Sequence, residues 1–428
     1  MILGAVLIAL MSVTRQERAH GASLMAVTST RSASTVASAT ACPPVPAPAV
    51  RDDAREAVGR RGRPQPRPHM RPTIASVRQA AARLAAVGAP PTPIFRSEWI
   101  DKACGCSALF KAEHLQRTGS FKYRGATNAV GALDDAAAAK GVVAHSSGNH
   151  GAAVAAAAAA RGVPCTVVVP STTPEAKVAN MERYGARVVK CEPTQQARTQ
   201  VSLECAEQMG GAAFIHPYDD PFVLAGQGTI GLELLEQHPE MDAVLVPVSG
   251  GGMIGGIALA IKALRPDVRV IACEPSGKDL AEALRQKVRV VDAAKADAAL
   301  DTIADAIRTK AFGPVPWDVC ASLLEPTVLA VDDVMIRHAM TSCLNELKQV
   351  VEPAGAVTLA ALLSPAFQML RDDEASSGRP INSVVAILCG GNVDVEAYAA
   401  LVGGPHGLGE MDVTWSFDPR ESEGRSKE

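Results

Sequence analysis

Residues 145–162 read HSSGNHGAAVAAAAAARG. The β-branched run GVVAHS (141–146) just ahead predicts a buried strand ending at His145, and the alanine stretch closed by Gly162 predicts a helix. One tight loop between them holds two hydroxyls, an amide and a histidine. A strand that feeds a helix through so short a loop is the unit of an α/β fold.

The same alternation runs outward on both sides. ALFKAE (108–113), CTVVVP (165–170), ARVVKC (186–191), AAFIHP (212–217), DAVLVPV (242–248), VRVIACEP (268–275) and SVVAILCGG (383–391) predict further strands. Helical stretches separate them. In PEAKVANMERYG (174–185), Pro174 takes a first-turn position and Gly185 a C-cap position. Strands spaced by helices imply a mostly parallel sheet, with ligands beyond the C-terminal strand ends.

Composition narrows the partners. The 428 residues are 47% apolar and 20% charged, with net charge −3 and 4% aromatics. Such a chain is globular, long enough for two or three domains, and gives no electrostatic reason to expect nucleic acid or an anionic membrane. Its ten cysteines include no CxxC pair, and Cys104-Gly105-Cys106 is too tight for zinc. They read as reduced, buried thiols in a reducing compartment.

Residues 1–72 differ from the rest. MILGAVLIAL is too short to span a bilayer, and residues 11–41 are rich in Ser, Thr, Ala and Arg with Glu17 as their sole acid. This composition suits import into a chloroplast or mitochondrion; the alternatives are an untargeted extension on a cytoplasmic protein, or a start at Met11. GRRGRPQPRPHMRP (59–72) then reads as a linker, and ESEGRSKE at the end as a polar tail.

Three loops carry chemistry. In VPVSGGGMIGGIALAIKAL (246–264) a strand meets Ser249-Gly250-Gly251-Gly252 and then a helix from near Ile254. Converging N–H groups and a helix start make a phosphate cradle, the alternative being a tight turn without ligand. Gly250, Gly252 and Gly255 also satisfy GxGxxG with Glu274 downstream, so a nicotinamide dehydrogenase competes. The Ser146–Gly151 loop suits a carboxylate, unless one of its polar residues is merely an N-cap. Finally GSFKYRGA (119–126) sets Lys122 behind Phe121, with Arg124 two residues on. An apolar wall and an inward arginine would lower the lysine's pKa and free its lone pair. Nucleophilic lysine, phosphate cradle and carboxylate cradle together point to pyridoxal 5′-phosphate (PLP). A pseudoenzyme that binds without turnover shares these features.

GSFKYRGA, HSSGNHG, SGGGMIGGIA and LCGGNVD, in that order, resemble the fold-type II PLP enzymes, on their serine racemase and serine/threonine dehydratase branch. The likeness runs from Pro91 to Asp394 and includes EPTQQARTQ, AGQGTIGLE and IACEPSG. It implies a tryptophan synthase β-like architecture of two open twisted α/β domains with the active site in the cleft, in a homodimer. The large domain would take 73–140 and 218–428, and the small mobile one 141–217. Lys122 would hold PLP as a Schiff base and move the Cα proton on one face, beside Phe121. Asn149 would bond the ring oxygen, Ser249, Gly250, Gly251, Gly252 and Met253 the phosphate, and Cys389 the pyridine nitrogen. Ser146, Ser147, Gly148, Asn149, His150 and Arg198 would receive the substrate.

Ser147, where dehydratases of the family commonly carry alanine, would be the acid/base of the second face. The implied activity is interconversion of L- and D-serine with elimination to pyruvate and ammonia. The alternative is a dehydratase for threonine, serine or 3-hydroxyaspartate. The family's Mg²⁺ or Ca²⁺ site would fall on Glu274 and the Lys278 carbonyl, but Leu280 stands where an aspartate belongs and Asp279 is only its neighbour. Tyr218 and Arg117 depart from the usual nucleotide-effector residues, and no regulatory domain is expected after LCGGNVD.

Overall fold

In the computed structural model, the described residues are 71–278, 280–289 and 300–403. The transit-like and linker reading of 1–72 (all but Arg71 and Pro72), the tail and the candidate ligand Asp279 fall outside them. Each β-branched run pairs as a strand, and two short segments join them. The strands are β1 (Ile94–Arg96), β2 (Ser107–Lys111), β3 (Val142–His145), β4 (Cys165–Pro170) and β5 (Arg187–Cys191). Then come β6 (Ala213–Phe214), β7 (Ala243–Pro247), β8 (Arg269–Pro275), β9 (Val328–Val331) and β10 (Ser383–Ile387).

They form two sheets, a six-stranded one ordered β1-β2-β10-β7-β8-β9 and a four-stranded one ordered β5-β4-β3-β6. All pairs are parallel except β1 with β2. The four-stranded sheet comes from one continuous stretch, and the larger sheet from chain on both sides of it. AAFIHP pairs over two residues only: Ile215 N–H still donates to the Val143 carbonyl at 2.8 Å, and then His216-Pro217 leaves the edge.

Alanine explains the helix that leaves β3. Its residues from His150 to Ala158 are all buried, and a helix apolar all round belongs inside. Gly162 ends it at φ 71. Pro174 sits one residue earlier than expected, as N-cap of Glu175–Arg183, and Gly185 follows that helix at φ 82. The nine described cysteines are buried free thiols. Among the described residues no single helix is long and apolar enough to cross a membrane.

Arg124 serves the scaffold. Its guanidinium is 1% exposed and forks onto Glu113 (Nε–Oε2 2.7 Å, Nη2–Oε1 2.8 Å), while Nη2 also donates to Glu233 at 2.8 Å. Lys111 Nζ donates to Glu233 and to the Thr92 carbonyl. Two cations and two anions thus compensate one another out of water, an arrangement that tolerates the loss of no single member. It locks the Lys122–Gly131 helix to β2 and to the helix Pro221–Gln237.

Candidate active site

Parallel strands end on one side, and the loops that leave them there converge. A cavity of about 1410 Å³ is lined by Phe121 and Lys122, by Ser146, Ser147, Gly148, Asn149 and His150, by Arg198, by Ser249, Gly250, Gly251, Gly252 and Met253, and by Cys389. The motifs read as chemistry-bearing therefore face one space. Glu274 and Lys278 do not line it.

Lys122 is the first residue of its helix, and Nζ donates to the Pro217 carbonyl at 2.9 Å. The Phe121 ring centroid is 5.0 Å from Nζ, the apolar wall foreseen. Burial lowers the amine to about 8, opposed by Cys389 and Glu352. Arg124 plays no part in this, because its charge is spent on Glu113 and Glu233; that element of the sequence reading is corrected.

Two helix starts face the cavity without a side-chain cap. The helix Asn149–Arg161 has Gly148 as N-cap and no side-chain bond to its first turn; the Ser146 hydroxyl instead accepts from Gly148 N–H at 3.2 Å. An ordinary serine or asparagine cap is thereby set aside. The helix Gly252–Leu264, two residues longer at its start than expected, follows Gly251 at φ 90 and is likewise uncapped. A Cβ on Gly250 would lie 2.4 Å from the Tyr218 ring, and one on Gly251 2.7 Å from Phe312. Only bare backbone fits there. Free N–H groups and the positive helix ends leave two anion seats, flanking one amine.

Asn149 is fixed by two partners. Its Nδ2 donates to Glu352 Oε1 at 2.8 Å, and its Oδ1 accepts from Asn392 Nδ2 at 2.8 Å. One amide hydrogen stays available for a ring oxygen. The Cys389 thiol is buried, donates to the Ala354 carbonyl at 3.4 Å, and is held protonated by burial. His150 is committed elsewhere, with Nε2 against the Ile215 carbonyl at 2.9 Å. Burial brings His145 to about 4 and His216 to about 3, so both are neutral near pH 7. Arg198 makes no ion pair with a carboxylate among the described residues. Amine, phosphate seat, amide donor and neutral thiol fit PLP.

Sequence reasoning missed Glu352 and Asn392. Glu352 is 4% exposed and precedes Pro353 at the start of the buried helix Pro353–Leu362, a carboxylate ahead of an apolar run that could have been noticed. Burial and the nearby Asp305 raise it to about 7 against the pull of Asn149, Lys177 and Lys122. The folded carboxyl thus holds its proton more tightly than the unfolded one. Its contribution to stability is full below about 4.5 and is lost as pH rises through about 7. Relative to wild type, cofactor-free Glu352→Gln should gain stability over that window, by ~3 kcal/mol. Denaturant melts at pH 5 and pH 8 check this, and parallel curves for the two proteins would contradict it.

Among the described residues, the rear of the site presents no ligand set that fits a divalent cation. Lys278 Nζ donates to the Val248 carbonyl at 2.7 Å, and Leu280 is packed in the apolar core. Among the described residues no three His, Cys, Asp or Glu side chains are placed to hold a metal. Glu274, the residue that completed the dinucleotide pattern, lies buried near the end of β8, away from the cavity lining. Arg117 donates to the Tyr123 hydroxyl at 3.0 Å, and Tyr218 lies against the glycine loop.

Over residues 86–390 the chain matches the family described as pyridoxal-phosphate dependent enzyme. A serine racemase of Arabidopsis thaliana is 42% identical over 304 residues, 71% of this chain and 88% of that one. The beta-hydroxyaspartate dehydratase of Paracoccus denitrificans (strain Pd 1222) is 40% identical over 305 residues, 71% of this chain and 91% of that one. The structure of maize serine racemase shares a TM-score of 0.71 at 41% identity, covering 76% of this chain and 95% of that one.

Proposed function

The chain belongs to the family of pyridoxal-phosphate-dependent enzymes, and on that premise we propose that it interconverts L- and D-serine and eliminates water from serine to give pyruvate and ammonia. One observation carries this reading. A lysine whose amine is brought to about 8 shares a cavity with a serine hydroxyl at an uncapped helix start. When bound, PLP supplies the electron sink that lets a Cα proton leave. Lys122 takes or returns that proton on one face, and the Ser147 hydroxyl serves the other. Ser249 to Met253 would hold the phosphate with backbone N–H groups, Asn149 would donate to the ring oxygen, and the neutral Cys389 would meet the ring nitrogen. The loop from Ser146 to Asn149 and Arg198 would hold the substrate carboxylate, without the His150 side chain, which is committed to Ile215.

The dehydratase reading for 3-hydroxyaspartate keeps support of its own. Arg198, Arg308 and Lys310 line the same cavity, a surplus of positive charge that suits a second carboxylate. Purified, PLP-loaded protein given L-serine should form D-serine and pyruvate together. L-threonine and 3-hydroxyaspartate, run in parallel, rank the substrates. No turnover of any of the three would defeat the proposal. A homodimer and organelle import through residues 1–72 remain part of it, read by light scattering and by localisation of a tagged full chain.

A further inference from the structure

Lys278 has a task that the reaction leaves unexplained. It lies three residues beyond the end of β8 and reaches back, so that Nζ sits 2.7 Å from the carbonyl oxygen of Val248. Val248 is the last residue before the Ser249–Gly252 loop, and its own N–H already donates to the Cys273 carbonyl at 2.9 Å. The strand end is thus held on both sides. Burial lowers the Lys278 amine to about 8, and the Glu274 carboxylate, 2% exposed, opposes this as its counter-charge.

The Val248 carbonyl and the Ser249 N–H are two ends of one planar peptide unit. A cation on the oxygen therefore fixes where that N–H points, and polarises it as a donor. Ser249 is the first residue of the phosphate seat. A divalent cation in this position needs six or more oxygens in close array. Here Leu280, 7% exposed in the apolar core, offers none, and a lysine has brought its own charge.

We propose that Lys278 is a positioning residue whose tethered ammonium stands in for a divalent cation behind the phosphate seat, so that cofactor binding and turnover need no metal. This rests on PLP occupying the cavity. Three donors on one charge suffice to hold a carbonyl beside a carboxylate, and a covalent tether removes any dependence on free ion concentration.

The test is equilibrium titration of cofactor-free protein with PLP, alongside turnover of L-serine. Wild type dialysed against EDTA should keep both its affinity and its rate, and added Mg²⁺ or Ca²⁺ should change neither by more than about twofold. Lys278→Met should weaken PLP binding by about tenfold to a hundredfold, the range for a hydrogen bond to a charged group. Lys278→Arg should retain most of the affinity. Lys278→Ala, which leaves a space beside the Val248 carbonyl, should recover affinity on addition of ethylammonium. A wild type that loses affinity in EDTA and regains it with Mg²⁺ overturns the proposal, and so does a Lys278→Met protein that binds PLP as wild type does. A lower melting temperature in Lys278→Met with unchanged PLP affinity would mark a purely structural lysine, which also overturns it. Failure of wild type to bind PLP at all would instead remove the functional reading on which the inference stands.

Discussion

Lys122→Ala should leave no measurable racemisation or elimination, a loss of ~10⁴-fold or more, because in the proposed mechanism one amine both anchors the cofactor and moves the proton. With its pKa near 8, roughly a tenth of the Lys122 amine is neutral at pH 7; at the usual 10.5 the share would be about three in ten thousand. Burial thus raises the supply of attacking amine by more than two orders of magnitude. Capture of PLP by cofactor-free protein should speed up about tenfold per pH unit below about 8 and level off above it. Borohydride treatment of the loaded wild type should leave a fixed pyridoxyl mass on the peptide that carries Lys122, and none in Lys122→Ala. Lys122→Arg keeps the charge but cannot lose it, so it should be as inactive as the alanine variant. A Lys122→Ala protein that still turns over serine would end the assignment.

The site was legible where its chemistry is contiguous in sequence. Lys122 behind Phe121, the Ser146–His150 loop, the Ser249–Met253 loop and Cys389 each announce themselves within a few residues, and the structure gathers them around one cavity. The parallel architecture was legible too, since each long β-branched run became a strand. What escaped is non-local or short. Glu352 meets Asn149 across 203 positions and Asn392 does so across 243, and no local pattern encodes such a pairing. β1 is a three-residue antiparallel edge, and β9 is an edge strand with alternate residues partly exposed, too short for periodicity to register. Arg124 was misplaced for a related reason. Spacing of two along the chain says nothing about direction once residues enter a helix, and its partners Glu113 and Glu233 come from separate elements. Leu280 was visible as a departure from the family's metal pattern, but only the 2.7 Å contact of Lys278 with Val248 gives that departure a physical meaning.

Ser147→Ala should separate the two outcomes that Lys122 alone would leave joined. Inversion needs a proton donor on each side of a planar carbon, whereas elimination needs proton removal on one side only. Formation of D-serine from L-serine should therefore fall ~100-fold or more, the usual scale for losing a positioned acid, while pyruvate formation stays within a few-fold. A serine hydroxyl is a weak acid, but here it sits beside the positive end of an uncapped thirteen-residue helix, which favours an alkoxide by up to ~2 kcal/mol. The neighbouring rings offer no substitute. With pKa values near 4 and 3, His145 and His216 are protonated in at most about one molecule in a thousand at pH 7. Ser147→Thr keeps the hydroxyl and should restore part of the inversion. Solvent deuterium gives a second readout: Ser147→Ala should still wash deuterium into Cα of L-serine with retention, because Lys122 takes and returns on its own face. A hydroxyl that only bound the substrate carboxylate would behave otherwise, raising KM for both outcomes alike and lowering exchange along with inversion. Equal losses of D-serine, pyruvate and exchange would therefore move Ser147 out of proton transfer and into substrate binding, and the second face would need another donor.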